Sequence, residues 1–137
     1  MAIEVEGLTP LLQVYDMNEA LAFYRDRLGF ELGADSGEVD TPEGRFFHWC
    51  WLRLGDANVM LNTAYDEGER PLERDPARQA AHGDICLYFA CPDVDGTAQK
   101  LRALGLTVEG PETASYGMRQ TWLHDPDGYQ LCFQARA

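Results

Sequence analysis

Apolar and polar positions along this chain follow a pattern that occurs twice. Residues 8–15, Leu-Thr-Pro-Leu-Leu-Gln-Val-Tyr, read as a strand and run into Asp16. Ala20, Leu21, Tyr24 and Leu28 then recur at helical spacing, with Glu19, Arg25, Asp26 and Arg27 between them. Asp16 suits the start of that helix because its carboxylate can accept the unpaired amide protons of the first turn. Gly29 suits the end, and Phe30-Glu31-Leu32 opens a second strand. Asp93 begins the same series again: a helix over the following residues, Leu104-Gly105 at its end, and a strand from 106–108.

The remaining segments complete each copy. Residues 34–44 read as loop, carrying Asp-Ser-Gly and Thr-Pro-Glu-Gly turn chemistry. Residues 46–54 form an aromatic-rich third strand, Gly55-Asp56-Ala57 turns the chain, and 58–62 return as a fourth. Residues 63–83 are polar and turn-prone, with room for a short helix at 76–81. A fifth strand at 84–91 precedes Pro92-Asp93. A seventh at 117–124 meets the strong turn Asp125-Pro126-Asp127-Gly128, and an eighth covers 129–134. The expected fold is α+β, a βαβββ unit made twice in one domain. The first module covers residues 7–63, the linker 64–83 and the second module 84–135.

Strand alternation separates two faces. Leu12, Val14, Val59, Leu61, Leu87, Phe89, Leu131 and Phe133 form an apolar set suited to packing helices. The opposite parity carries Thr9, Leu11 and Gln13, then Asn58, Met60 and Asn62, then Cys86 and Tyr88, then Gln130, Cys132 and Gln134. A face of neutral amides, hydroxyls and thiols orients a ligand without supplying charge. Phe46, Phe47, Trp49, Trp51 and Trp122 add aromatic surface for walls or core.

Charge narrows the partners. With 23 acidic against 11 basic residues, the net charge of −12 repels phosphate backbones, which argues against nucleic acid. No apolar run reaches the roughly 20 residues that span a bilayer. The opening Met1-Ala2-Ile3-Glu4-Val5-Glu6 lacks the basic-then-apolar pattern of an export signal. Cys50, Cys86, Cys91 and Cys132 contain no C-x-x-C pair, in keeping with free thiols. The expectation is a cytoplasmic protein that does not engage membranes.

Phe23-Tyr24-Arg25-Asp26-Arg27-Leu28-Gly29-Phe30 in the first copy, and Pro92-Asp93-Val94, Leu104-Gly105 and Asp125-Pro126-Asp127-Gly128-Tyr129 in the second, follow one another in a characteristic order. In this the chain resembles the vicinal oxygen chelate superfamily of glyoxalases, bleomycin resistance proteins and extradiol dioxygenases. The resemblance implies that the two βαβββ modules form an open, cup-shaped barrel with helices on its outer face. It also implies a homodimer, in some members with the cavity built across it.

Metal enzymes of that superfamily hold their ion with His, Glu or Gln on the first, fourth, fifth and eighth strands. Counting from the motifs, the matching positions here are Thr9, Met60, Cys86 and Cys132. Their strand neighbours Leu8, Pro10, Val59, Leu61, Ile85, Leu87, Leu131 and Phe133 are all apolar, so a register error of one does not restore a ligand. A hydroxyl, a thioether and two thiols suit no hard divalent ion. The expectation is therefore no metal and no other cofactor.

Thr9, Gln13, Met60, Asn62, Cys86, Tyr88, Gln130 and Cys132 are the expected cavity lining. His48 and Tyr88 are the acid–base candidates, while His82 and His124 read as local or surface groups. The favoured function is metal-independent binding of an apolar or cationic small molecule, of the bleomycin-resistance type. A lyase, isomerase or dioxygenase with a non-standard site is the alternative. A regulatory dimer without a ligand is the third reading.

Overall fold

The computed structural model describes residues 1–137. Its elements are β1 (Leu11–Val14), α1 (Met17–Leu21), β2 (Glu31–Asp35), β3 (Val39–Thr41), β4 (Gly44–Phe46), β5 (Trp49–Leu54), β6 (Ala57–Thr63), α2 (Pro76–His82), β7 (Cys86–Ala90), α3 (Val94–Ala103), β8 (Glu109–Thr113), β9 (Met118–His124) and β10 (Gln130–Arg136). One sheet has the order β1-β6-β5-β2 and the other β7-β10-β9-β8. Each places its first strand parallel to its last and runs antiparallel elsewhere. The duplicated pattern is thus a duplicated sheet in a mixed α+β fold, and the two sheets do not close into a barrel.

Both aspartates cap as their position demands. Asp16 accepts from the amides of Asn18 and Glu19, and Asp93 from that of Gly96. The first helix departs from the expected regular winding. Over Ala22–Arg27 its turns widen to i→i+5 bonding, as in Leu28 N–H to Phe23 C=O at 3.0 Å. The wider turn lets the consecutive residues Phe23 and Tyr24 both point inward, so Phe23 belongs to the core although the helical spacing passes it over.

Other expectations need correction. Residues 34–44 are not plain loop, because β3 and β4 pair there as a small hairpin. The strand expected at 46–54 is broken at Phe47-His48, so Phe46 ends the hairpin and Trp49 starts β5. Thr9 precedes β1 rather than lying in it. The strand expected from residue 106 begins at Glu109. Leu106 and Val108 are spent on packing against the core instead.

The apolar parity is the buried one. Leu12, Val14, Val59 and Leu61 of the first sheet join Leu131 and Phe133 of the second in one continuous cluster with Met17, Ala20, Tyr24 and Leu101 of the helices. Each such fully buried aliphatic side chain contributes about 1.5–3 kcal/mol relative to exposure.

The two halves are also tied by a polar joint at the Asp125-Pro126-Asp127-Gly128 turn. Tyr24 donates its hydroxyl to Asp125 Oδ2 at 2.6 Å, and the amide of Tyr15 donates to Asp127 Oδ1 at 2.8 Å. Asp125 Oδ1 accepts from the amides of Asp127 and Tyr129, both at 2.9 Å. The amide of Gln13 donates to the Tyr129 hydroxyl at 3.1 Å, and the His82 ring stacks on the Tyr129 ring at 4.1 Å.

Helix α2 presses against this turn so closely that a Cβ on Gly128 would meet the Gln79 carbonyl oxygen at 2.5 Å, and Gly128 has φ +89°. Gly128→Ala therefore faces both left-handed strain and a backbone collision. A loss of about 2 kcal/mol or more is expected in denaturant unfolding. An unchanged midpoint would contradict the close approach.

Candidate functional site

The face opposite the core is built from rows of side chains running straight across each sheet. In the second sheet the register aligns Tyr88, Cys132, Trp122 and Glu109 on β7, β10, β9 and β8. In the first it aligns Leu11, Met60, Trp51 and Ala34 on β1, β6, β5 and β2. The duplication makes these rows equivalent position by position. Met60 thus corresponds to Cys132, and Trp51 to Trp122. The rows are open to solvent at Leu11 (46% exposed), Trp51 (36%) and Tyr88 (56%), whereas Cys132 is fully buried.

Beside the first row, Gln13 pairs with Asn62, whose side-chain amide donates to Gln13 Oε1 at 3.2 Å and to the Thr63 carbonyl at 3.1 Å. The Trp51 indole N–H donates to Asn58 Oδ1 at 2.9 Å, which fixes the ring. Beside the second row, Gln130 stands between Cys86 and His124. On the other flank Gln120 donates to Gln134 at 2.9 Å and accepts from the Tyr116 hydroxyl at 3.1 Å. Gln120 is fully buried and was legible from the alternation of Gln120, Trp122 and His124 along one strand.

The nominated residues therefore gather into two groups rather than one. Gln13, Met60 and Asn62 share the first sheet's open face, with Thr9 just ahead of it. Cys86, Tyr88, Gln130 and Cys132 share the second's. No hydrogen bond or ring contact joins the groups within the chain. His48 lies off both rows, its Nδ1 2.7 Å from the Thr63 hydroxyl and its ring edge-on to Phe46. His82, read from sequence as a linker group, belongs to the joint through Nδ1 at 2.7 Å from the Asp127 carbonyl.

A cavity of about 340 Å³ adjoins the second row. Leu106, Thr107, Glu109, Trp122, Leu123 and His124 line it, and none of the eight nominated residues does. Its α3–β8 wall is pinned. The Arg102 guanidinium donates to the carbonyls of Val108 and Gly110, and the Thr121 hydroxyl donates to the Glu109 carbonyl at 2.7 Å. Glu109 escaped sequence reading because its place on the face depends on a register shift in β8 between Glu109 and Glu112.

Burial pushes the Cys132 thiol up to about 11, with the neighbouring Cys86 thiol adding to the effect. Burial also raises Cys86. The Tyr88 hydroxyl is raised, chiefly by the charge Cys86 would carry. Two thiols held protonated on the second face, with only a thioether at the equivalent place on the first, do not fit a hard divalent ion. No three His, Cys, Asp or Glu side chains converge elsewhere as a metal-holding group.

Residues 8–133 match the Glyoxalase/Bleomycin resistance protein/Dioxygenase superfamily, and the chain belongs to it. Among solved structures it is similar to a glyoxalase/bleomycin resistance protein from Streptomyces sp. CB03234. That match has 26% identity and a TM-score of 0.61, over 93% of this chain and 97% of the other. It is also similar to TnmS3, an antibiotic binding protein from Streptomyces sp. CB03234. Here identity is 25% and the TM-score 0.68, over 99% of this chain and 100% of that one. A bleomycin-binding protein complexed with bleomycin shares the fold at 20% identity and TM-score 0.68, over 97% and 100% of the two chains. No curated protein matches the chain in sequence.

Proposed function

We propose that this protein binds and sequesters an apolar or cationic small molecule without a metal ion, in a cup walled by the open faces of its sheets. Thr9, Gln13, Met60 and Asn62 would supply one wall and Cys86, Tyr88, Gln130 and Cys132 the other. The observation that carries the reading is the pair of equivalent rows, each centred on a tryptophan, whose ligand-equivalent positions hold Met60 and Cys132 in place of hard donors. The likeness to an antibiotic binding protein along the full chain supports the same class of partner.

A homodimer completes the cup. The chain exposes 8400 Å², against about 7,200 Å² for a compact monomer of its mass. Residues 1–10, which form no element and expose Met1, Ile3, Val5 and Leu8, account for part of the difference. The open rows supply more, and covering one chain's first row with another's second would bring the two nominated groups together. No helix is long and apolar enough to cross a membrane. The four free cysteines suit a reducing, cytoplasmic setting.

Native mass spectrometry with elemental analysis of untagged protein tests this reading. A dimer that retains an organic molecule, releases it unchanged and holds no stoichiometric metal is expected. Stoichiometric divalent metal, or a ligand released as product, would overturn this reading and support the enzymatic alternative.

A further inference from the structure

The duplication makes departures between the halves readable. Three of the four row positions carry no acid or base in either half: Leu11 for Tyr88, Met60 for Cys132 and Trp51 for Trp122. The fourth differs in kind. Where the first sheet has Ala34, the second has Glu109, directly across from Trp122 on the neighbouring strand. Cross-strand partners share a face, so a carboxylate stands beside an indole at the edge of the cavity. The Glu109 side chain has no hydrogen bond or ion pair of its own, although Arg102 and Thr121 hold the surrounding backbone. The acid is thus exposed and unneutralised on a pinned backbone, whereas Arg119, nearer the far end of β9, is already paired with Asp95.

We infer that the Trp122–Glu109 cavity is a subsite for the cationic group of the ligand, with Glu109 setting its orientation, and that the uncharged Leu11–Met60–Trp51 row takes the apolar body. This rests on the binding reading above and adds direction to it. A flat or compact cation such as an amidinium fits the chemistry, since it can lie on the indole face while donating to the carboxylate. A cavity near 340 Å³ is in the range of small-ligand sites and accommodates such a group. Glu112, the other β8 acid on this face, lies across from Gln120 and outside the cavity.

Benzamidine and benzamide form the test pair, being near-isosteric and differing in charge. Binding is followed by NMR at the three indole N–H signals, assigned with Trp49→Phe, Trp51→Phe and Trp122→Phe. Benzamidine should shift the Trp122 signal at millimolar concentration, about tenfold more tightly than benzamide, and weaken with added salt. Glu109→Gln should abolish that preference while leaving benzamide binding intact. Ala34→Glu should create a second, benzamidine-selective shift at Trp51. Equal binding of the two probes, an unaltered preference in Glu109→Gln, or no shift at Trp122 with either probe would each overturn the inference. These outcomes are separable from failure of the binding reading, which mass spectrometry of the dimer and its retained ligand reports on its own.

Discussion

Asp125→Ala should lose about 3 kcal/mol or more of folding stability, because it strips the acceptor from three buried donors. The Asp125 carboxylate is 4% exposed and serves three donors: the Tyr24 hydroxyl and the amides of Asp127 and Tyr129. Alanine would leave all three unanswered in the joint, where each buried orphan costs about 1–3 kcal/mol. Asp125→Asn should behave differently, because its carbonyl can still accept from the two amides and its side-chain amide can donate to the Tyr24 oxygen.

The charge itself works against folding here. Burial pushes the Asp125 carboxyl up to about 6 in the folded state, despite the hydrogen bonds that favour the carboxylate. A raised carboxyl means the folded chain binds more protons than the unfolded chain between about pH 4 and 6, so this group's contribution to stability falls as pH rises through that window. The loss is at most about 3 kcal/mol. Asp127, also raised by burial, acts in the same direction. Asp125→Asn should therefore gain on the wild type from pH 4 to 7 and level off above it. Parallel stability curves for the two proteins across that range would contradict the assignment.

Phe30→Ala should cost about 3–5 kcal/mol, as expected for removal of a buried aromatic ring. Phe30 is 2% exposed and follows the widened end of the first helix. Its ring meets Tyr24 edge-on at 5.7 Å and Phe89 of the second half at 6.2 Å, while Phe89 stacks on Phe133 at 4.9 Å. The ring is thus a span between halves, and its loss opens a cavity at a place neither sheet can close alone. Phe30→Leu should recover more than half of the loss. Calorimetry should show one broadened or divided transition for Phe30→Ala, since the halves then lose part of their coupling. A sharp wild-type transition would mean the span carries little.

Sequence and structure divide the molecule along physical lines. Asp16 and Asp93, Gly29 and Gly105, and the apolar parity of Leu12, Val14, Leu131 and Phe133 are local or periodic signals. They report directly on caps, turns and the face that must leave water. They were enough to predict two βαβββ units and a family resemblance. The hairpin at β3 and β4, the break at Phe47-His48 and the widened turn over Ala22–Arg27 escaped, because each is settled by what packs against it. The site divides in the same way. Alternation along single strands placed Met60, Asn62, Cys86 and Cys132 on one kind of face.

What the chain alone determined is the repeat, the buried parity and the strand faces that carry Met60, Cys86 and Cys132, since all of these follow from spacing within one segment. Only the tertiary structure decided that Trp122 and Glu109 face each other and border a cavity, and that the two nominated groups lie on separate sheets. It also decided that Asp125, Asp127, Tyr129 and His82 form the joint. Such pairings depend on strand register and on the meeting of segments up to 116 residues apart, and periodicity within a segment carries no information about either.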